Sequence, residues 1–293
     1  MTETGFQNQT ATIFPLGVVD RVEKNVQTAV YPGRLVVRGT TDYDVVPADC
    51  VQFPIGFMGF EKSPGPSQPA SITTAWTTGV VGPVGKCVGR PVFIPGGLMP
   101  GFSVSEGDVV VPWGTNGQVA PAVIIDGKVA VKIPFAQGSG EIDTGVDIPA
   151  GLQIADVKLN VITAVSGATI SVGIKSTQPS GSATGFINAE SAATSGIVGH
   201  VNESTTSGNI TLGSFLNAAT IKSADVTPIY YAVSKGYPVV SGTQRITYTT
   251  SASAIAGFIL VFVNSAGIIP VGHAEYSATA TSTAVNLHIA SRI

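Results

Sequence analysis

The chain "GDVVVPWGTNGQVAPAVIIDGKVAVKIPF" (107–135) packs its apolar residues into runs of three to five, each closed by Gly, Pro, Asn or Asp. That punctuation leaves no room for a helix, and no other stretch sustains a 3.6-residue apolar period. Asn116-Gly117 and Asp126-Gly127 carry the signal of two-residue hairpin turns. Prolines at 32, 54, 91, 95, 112 and 134 interrupt runs that otherwise read as strands. Proline donates no ladder hydrogen bond, so these strands are expected to be short, to lie at edges or to bend at bulges. The fold class is all-β.

Fourteen of the nineteen prolines and both tryptophans, Trp76 and Trp113, fall within residues 1–140, whereas 141–293 is rich in Ser, Thr and Ala. The join "FAQGSGEIDTG" (135–145) has linker composition. This predicts an extended arm over 1–15, an irregular β-barrel or sandwich over 16–140, and an antiparallel β-sandwich over 141–293 with little helix. In the arm, Phe6, Ile13 and Phe14 are candidate anchors on a neighbouring subunit.

In the second half, Val157, Leu159 and Val161 alternate with Lys158, Asn160 and Ile162. "SGAT" follows, then Ile170, Val172 and Ile174 alternate again. This predicts a hairpin over a one-sided core. "GFILVFVNS" (257–265) is apolar on both faces and predicts a central strand. "STQPSGSATGFINAESAATSGIVGHVNESTTSGN" (176–209) reads as a long excursion. "AESAATSG" (189–196) and "SFLNAATIK" (214–222) are the places for one or two helical turns.

The 293 residues carry 33 charges, 15 basic and 18 acidic, or 11 % of the chain. Over the ~12,000 Å² that size scaling gives a monomer of this mass, that is roughly one charge per 360 Å². Soluble surfaces carry about a quarter or more of their residues as charges. So poor a surface is expected to be shared with other subunits. The longest apolar run, "AIAGFILVFV" (254–263), falls short of the about 20 residues of a membrane-spanning helix. "MTETGFQNQT" lacks a basic and apolar leader pattern, so synthesis in a cytoplasm is expected. A net charge of −3 without a basic cluster argues against a nucleic-acid partner.

Catalytic patterns are weak throughout. "GVVGPVGKC" (79–87) has the wrong spacing for a phosphate loop, and Cys87 stands where a hydroxyl is needed; it reads as a Gly/Pro-rich turn. His200 and Glu203 are three apart, but they sit among glycines and serines without a third ligand. His273 and His288 stand alone, and Asp42 and Asp44 read as turn acids. Cys50 and Cys87 read as buried thiols. No catalytic residue, cofactor or metal site is expected.

Two segments carry a resemblance. "TAVYPGRLVVRGTTDYDVVPADCVQFPIGFMGFE" (28–61), with its Pro-Gly-Arg strand, its "TDYDV" turn and its Pro-Ile-Gly strand, resembles the opening of tailed-bacteriophage head decoration (capsid cement) proteins. "GDVVVPWGTNGQVAPA" matches that family's Gly-Asp strand and Gly-punctuated hairpin. "EIDTGVDIPAGLQIADVKLNVITAVSGATISVGIKS" (141–176) and "ITYTTSASAIAGFILVFV" resemble the C-terminal β domain of its larger members. The resemblance implies a non-enzymatic virion protein on the capsid exterior, bound as trimers to the major capsid protein. Other readings are a tail, baseplate or receptor-binding fibre module, and a β-sandwich carbohydrate-active enzyme.

Overall fold

A computed structural model describes residues 20–293 except 61–68, 70, 126, 151, 179–180, 199–243, 252–253 and 282. Among the described residues the chain is all-β and contains no helix. It divides into two compact units. The first holds the described residues up to Met99, then Val104–Ala120 and Ala266–Ile293. The second holds Pro100–Ser103 and the described residues of Pro121–Ser265.

The first unit opens with a closed barrel. Strands β1 (Asp20–Val26), β2 (Leu35–Arg38), β3 (Asp44–Pro47), β4 (Gly56–Met58) and β5 (Val81–Lys86) join in the order β1-β3-β2-β4-β5, and β5 pairs back onto β1. Closure leaves no free edge. Val26, Val30, Val36, Val45, Met58, Trp76 and Val84 fill the interior. Trp76 exchanges backbone hydrogen bonds with Val30, and its indole Nε1 donates to the Gly59 carbonyl at 2.9 Å. Gly82 lies beneath that ring: a Cβ there would stand 2.3 Å from Met58 Cε and 3.1 Å from the indole. The segment 79–87, expected as a turn, is therefore largely strand β5, because closing the barrel needs an extended run that can pass under Trp76.

The remaining strands of this unit come from distant parts of the chain. They include β6 (Pro91–Leu98), β8 (Val109–Trp113) and the first residues of β9 (Gln118–Ile125). From the C-terminal end come β18 (Gly272–Ala274), β19 (Ala278–Ala280) and β20 (Val285–Ser291). All but β19 run β9-β6-β20-β18-β8, and β8 pairs again with β9. The expected division near residue 140 thus differs from the observed one. Residues 266–293 return to the first unit, where β20 pairs β6 and β18 pairs β8. The Gly-Ser-Gly at 138–140 lies within the second unit.

The second unit is a sandwich. One sheet contains the later part of β9, β10 (Lys128–Ala136), β17 (Ala256–Asn264), β12 (Gln153–Thr163) and β15 (Gly196–Val198). The other is β11 (Ile142–Ile148), β16 (Gln244–Thr250), β13 (Thr169–Ile174) and β14 (Ser182–Ser191); the short strand β7 (Phe102–Val104) starts in this unit but belongs to neither sheet. β17 lies between β10 and β12. Its Ile259 and Val261 share a face with Ile133, Phe135, Val157 and Leu159, and Phe135 meets Tyr248 of the other sheet edge-on at 6.0 Å. Its opposite face packs Leu260 and Phe262 with Ala130. The expectation of a central strand buried on both sides is met.

The expected hairpin of β12 with β13 does not form. β12 pairs β17 and β15, whereas β13 pairs β14 and β16 in the other sheet. Both strands bury an alternating face in the same core from opposite sides, a pattern identical to that of a hairpin. No helical turn forms over 189–196. The segment 214–222 lies outside the described residues.

The turns behave as their residues require. Ile125 pairs Lys128 across Gly127, which adopts φ +73°. At Asn116-Gly117 the connection is the longer turn 114–117, with left-handed glycines at both ends. The barrel holds that turn: Leu35 N–H donates to the Gly117 carbonyl at 3.0 Å, and Gly117 N–H donates to the Ala48 carbonyl at 2.9 Å.

Replacing Trp76 by Ala removes the centre of the barrel core and the indole hydrogen bond, so it is expected to destabilise the first unit by about 3–5 kcal/mol. Urea unfolding followed by circular dichroism measures the loss.

Candidate interaction surface

The loop between β3 and β4 presents apolar side chains outward on a fixed frame. Asp49 Oδ1 accepts from the backbone N–H groups of Val51 and Gln52, both at 3.1 Å. Cys50 takes the left-handed conformation, φ +57°, and its side chain is fully buried. Gly267 packs under it, where a Cβ would stand 2.4 Å from the Cys50 carbonyl. Ala48 N–H and Ile55 N–H donate to the carbonyls of Leu35 and Val36, which anchors both ends of the loop to β2. With the backbone so constrained, Val51 and Phe53 point to solvent, Phe53 being 58 % exposed. The barrel adds Val22, Val81, Val88 and Tyr43, the last 77 % exposed. An ordered apolar tip loses little conformational entropy when a partner covers it.

The second unit carries a charged cluster of different character. Five residues of β11, from Asp143 to Asp147, lie opposite three residues of β16, from Thr247 to Arg245, and this bulge brings both carboxylates to Arg245. Arg245 grips Asp147 with Nε and Nη2 at 2.6 and 2.9 Å and reaches Asp143 with Nη1 at 3.0 Å. Lys175 Nζ donates to Asp143 at 2.8 Å. Burial alone would raise the Asp143 carboxyl, but the hydrogen bonds from Lys175, the Gly145 N–H and Arg245 outweigh it and hold the group at about 2. Glu141 is lowered in the same way: burial opposes it, while bonds from Ser176 and Thr247 prevail. Each of these charges meets opposite charge or hydrogen-bond donors, so the cluster fastens β11, β16 and β13 together.

The other sequence candidates disperse. Asp44 caps its own turn, accepting from Asn25 Nδ2 and from Thr41, and these bonds lower its carboxyl. Asp42 pairs with Arg38 at 2.8 Å. The two acids thus serve separate partners. Cys50 and Cys87 are buried thiols outside any disulfide, pushed by burial up to about 12 and about 11. His273 Nε2 lies 3.0 Å from Arg292 Nη2, and the His288 ring sits between Phe93 and Tyr276. Among the described residues no group of three or more His, Cys, Asp or Glu side chains is placed to hold a metal ion. Phe6, Ile13 and Phe14, and likewise His200 and Glu203, lie outside the described residues. Comparison with protein-family models, with curated proteins and with solved structures yields no match for this chain.

Sequence reasoning passes over Val51 and Phe53, because "CVQFPIGFMGF" reads as one buried run. The only local hint is Asp49, whose side chain is suited to capping the two N–H groups that follow.

The Asp143 cluster makes the second unit acid-sensitive. The folded carboxyl titrates near 2 and its unfolded counterpart near 3.9, so the contribution is complete above about pH 4 and disappears as the pH falls towards about 2. Asp143→Asn is expected to flatten that part of the stability profile, measured by urea midpoints across the acid range.

Proposed function

We propose that the chain is a non-enzymatic structural protein of a bacteriophage particle that binds the outer capsid surface as trimers and stabilises it. The observation that carries this reading is the rigid apolar tip, Val51 and Phe53, on a barrel that also exposes Tyr43, Val22 and Val81 in a chain with only 11 % charged residues. The tip falls within the segment 28–61 that resembles capsid cement proteins.

The mechanism is adhesive. A standard protein interface buries about 1,600 Å² in total, centred on a few apolar anchors. Phe53 is such an anchor, and its ordered loop reduces the entropy lost on docking. Three copies joined on a symmetric lattice would each clamp the major capsid protein, and the second and third contacts would form at high effective concentration. The arm expected over 1–15, with Phe6, Ile13 and Phe14, would supply a second contact of the same kind. No step requires a cofactor, a membrane or nucleic acid.

Two measurements test this reading. Densitometry of purified particles should give a copy number comparable to that of the major capsid protein; a handful of copies would assign the chain to the tail instead. The double variant Val51→Asp/Phe53→Asp should keep its circular dichroism spectrum and bind shells at least ~30-fold more weakly, as loss of a hot spot requires. Undiminished occupancy would remove the tip from the interface.

A further inference from the structure

Arg34, on the residue before β2, is 7 % exposed and faces no carboxylate among the described residues. Its Nε donates to the Pro95 carbonyl at 2.8 Å, and its Nη1 donates to the Asn116 carbonyl at 3.0 Å. The guanidinium carbon stands over the Tyr31 ring at 5.7 Å. A guanidinium has five N–H donors, so these two bonds leave three unused, two of them on Nη2. Burial lowers the group to about 10, a sign of how little solvent compensates its charge. Buried charges are ordinarily paired with opposite charge.

The backbone beside Nη2 is fixed by its neighbours and carries no side chain over the guanidinium. β6 and β20 pair at Ile94↔Leu287 and at Leu98↔Val285, with a register shift between them, so Pro95-Gly96-Gly97 bulges out of the ladder. Side chains fix the bulge from both sides: Asn286 Oδ1 accepts from Gly96 N–H, and Gln118 Nε2 donates to the Gly96 carbonyl, each at 2.9 Å. Gly96 has φ +52°, and a Cβ added to it would stand 3.0 Å from Arg34 Nη2 and 3.8 Å from Ala284 Cβ. The missing side chain is therefore what leaves the free guanidinium edge uncovered. The rim, formed by Tyr31, Gly96, Asn116 and Ala284, is partly exposed.

We propose that the open edge of Arg34 above Gly96 is a receptor for one carboxylate group. A carboxylate oxygen accepts from the Nη2–H donors, and the pairing neutralises the buried cation. Among the described residues no second cation lines this rim, which disfavours phosphate or sulfate dianions. An aspartate or glutamate side chain of a second copy and a small organic acid both present this group, and the site reads it the same way in either. This inference stands on the geometry of the first unit and is independent of the capsid reading.

The test uses the intact chain and sodium acetate as probe, with sodium chloride holding the ionic strength constant. Saturation-transfer NMR should show an acetate methyl signal that saturates with concentration. It should be about tenfold weaker in Arg34→Met and in Gly96→Ala, as loss of charge-assisted hydrogen bonds predicts. Gly96→Ala keeps the cation and fills only the space above it, so it decides the matter even where Arg34→Met fails to fold. An acetate signal that is absent, or undiminished in a folded Gly96→Ala protein, overturns the proposal. Sedimentation velocity separates the sources. Dissociation of oligomers by acetate identifies a side chain of a second copy, unchanged sedimentation identifies a small acid, and both support the site.

Discussion

The described residues contain no helix, so each of their buried backbone N–H and C=O groups must find its partner on another strand or in a turn. That constraint organises both units. β5 closes onto β1, β20 reaches β6 from the far end of the chain, and β17 is held between β10 and β12. Prolines sit where the ladder can spare a donor. Pro134 pairs with Phe258 on β17, while the pairing of β10 with β9 stops at Val131. Pro95 stands in the bulge of β6, where its carbonyl turns to Arg34.

Glycine does complementary work where strands come close. Gly82 lets β5 pass under Trp76, and Gly257 would place a Cβ 2.1 Å from the Asn160 carbonyl and 2.9 Å from the Phe135 ring. Side chains at these points would force apart elements that backbone pairing holds together. The same economy appears at Gly96, with a different result: there the absent side chain leaves a charged edge open instead of a packed one.

The polar chemistry of the two units contrasts. Arg245 meets two carboxylates across a bulge, and its charge is answered within the fold. Arg34 is more deeply buried and, among the described residues, meets carbonyl oxygens and a tyrosine ring. Together with the exposed Val51 and Phe53, this gives the first unit both apolar and charged features suited to a partner. Neither feature was legible beforehand. Arg34 lies in a Pro-Gly-Arg turn with no acid nearby to mark it, and Phe53 lies in a run of apolar residues indistinguishable from core.

The sequence by itself determined the all-β class, the turn at Gly127, the alternating buried positions of β12 and β13, and the two-faced burial of β17. Each follows from local rules: proline and glycine geometry, and the two-residue period of an extended chain. Only the tertiary structure decided that β12 and β13 belong to opposite sheets, that residues 266–293 complete the first unit, and that 79–87 closes a barrel. Alternation tells which face of a strand is buried but not which strand lies beside it. Partners nearly two hundred residues apart are selected by packing and backbone hydrogen bonding across the whole fold.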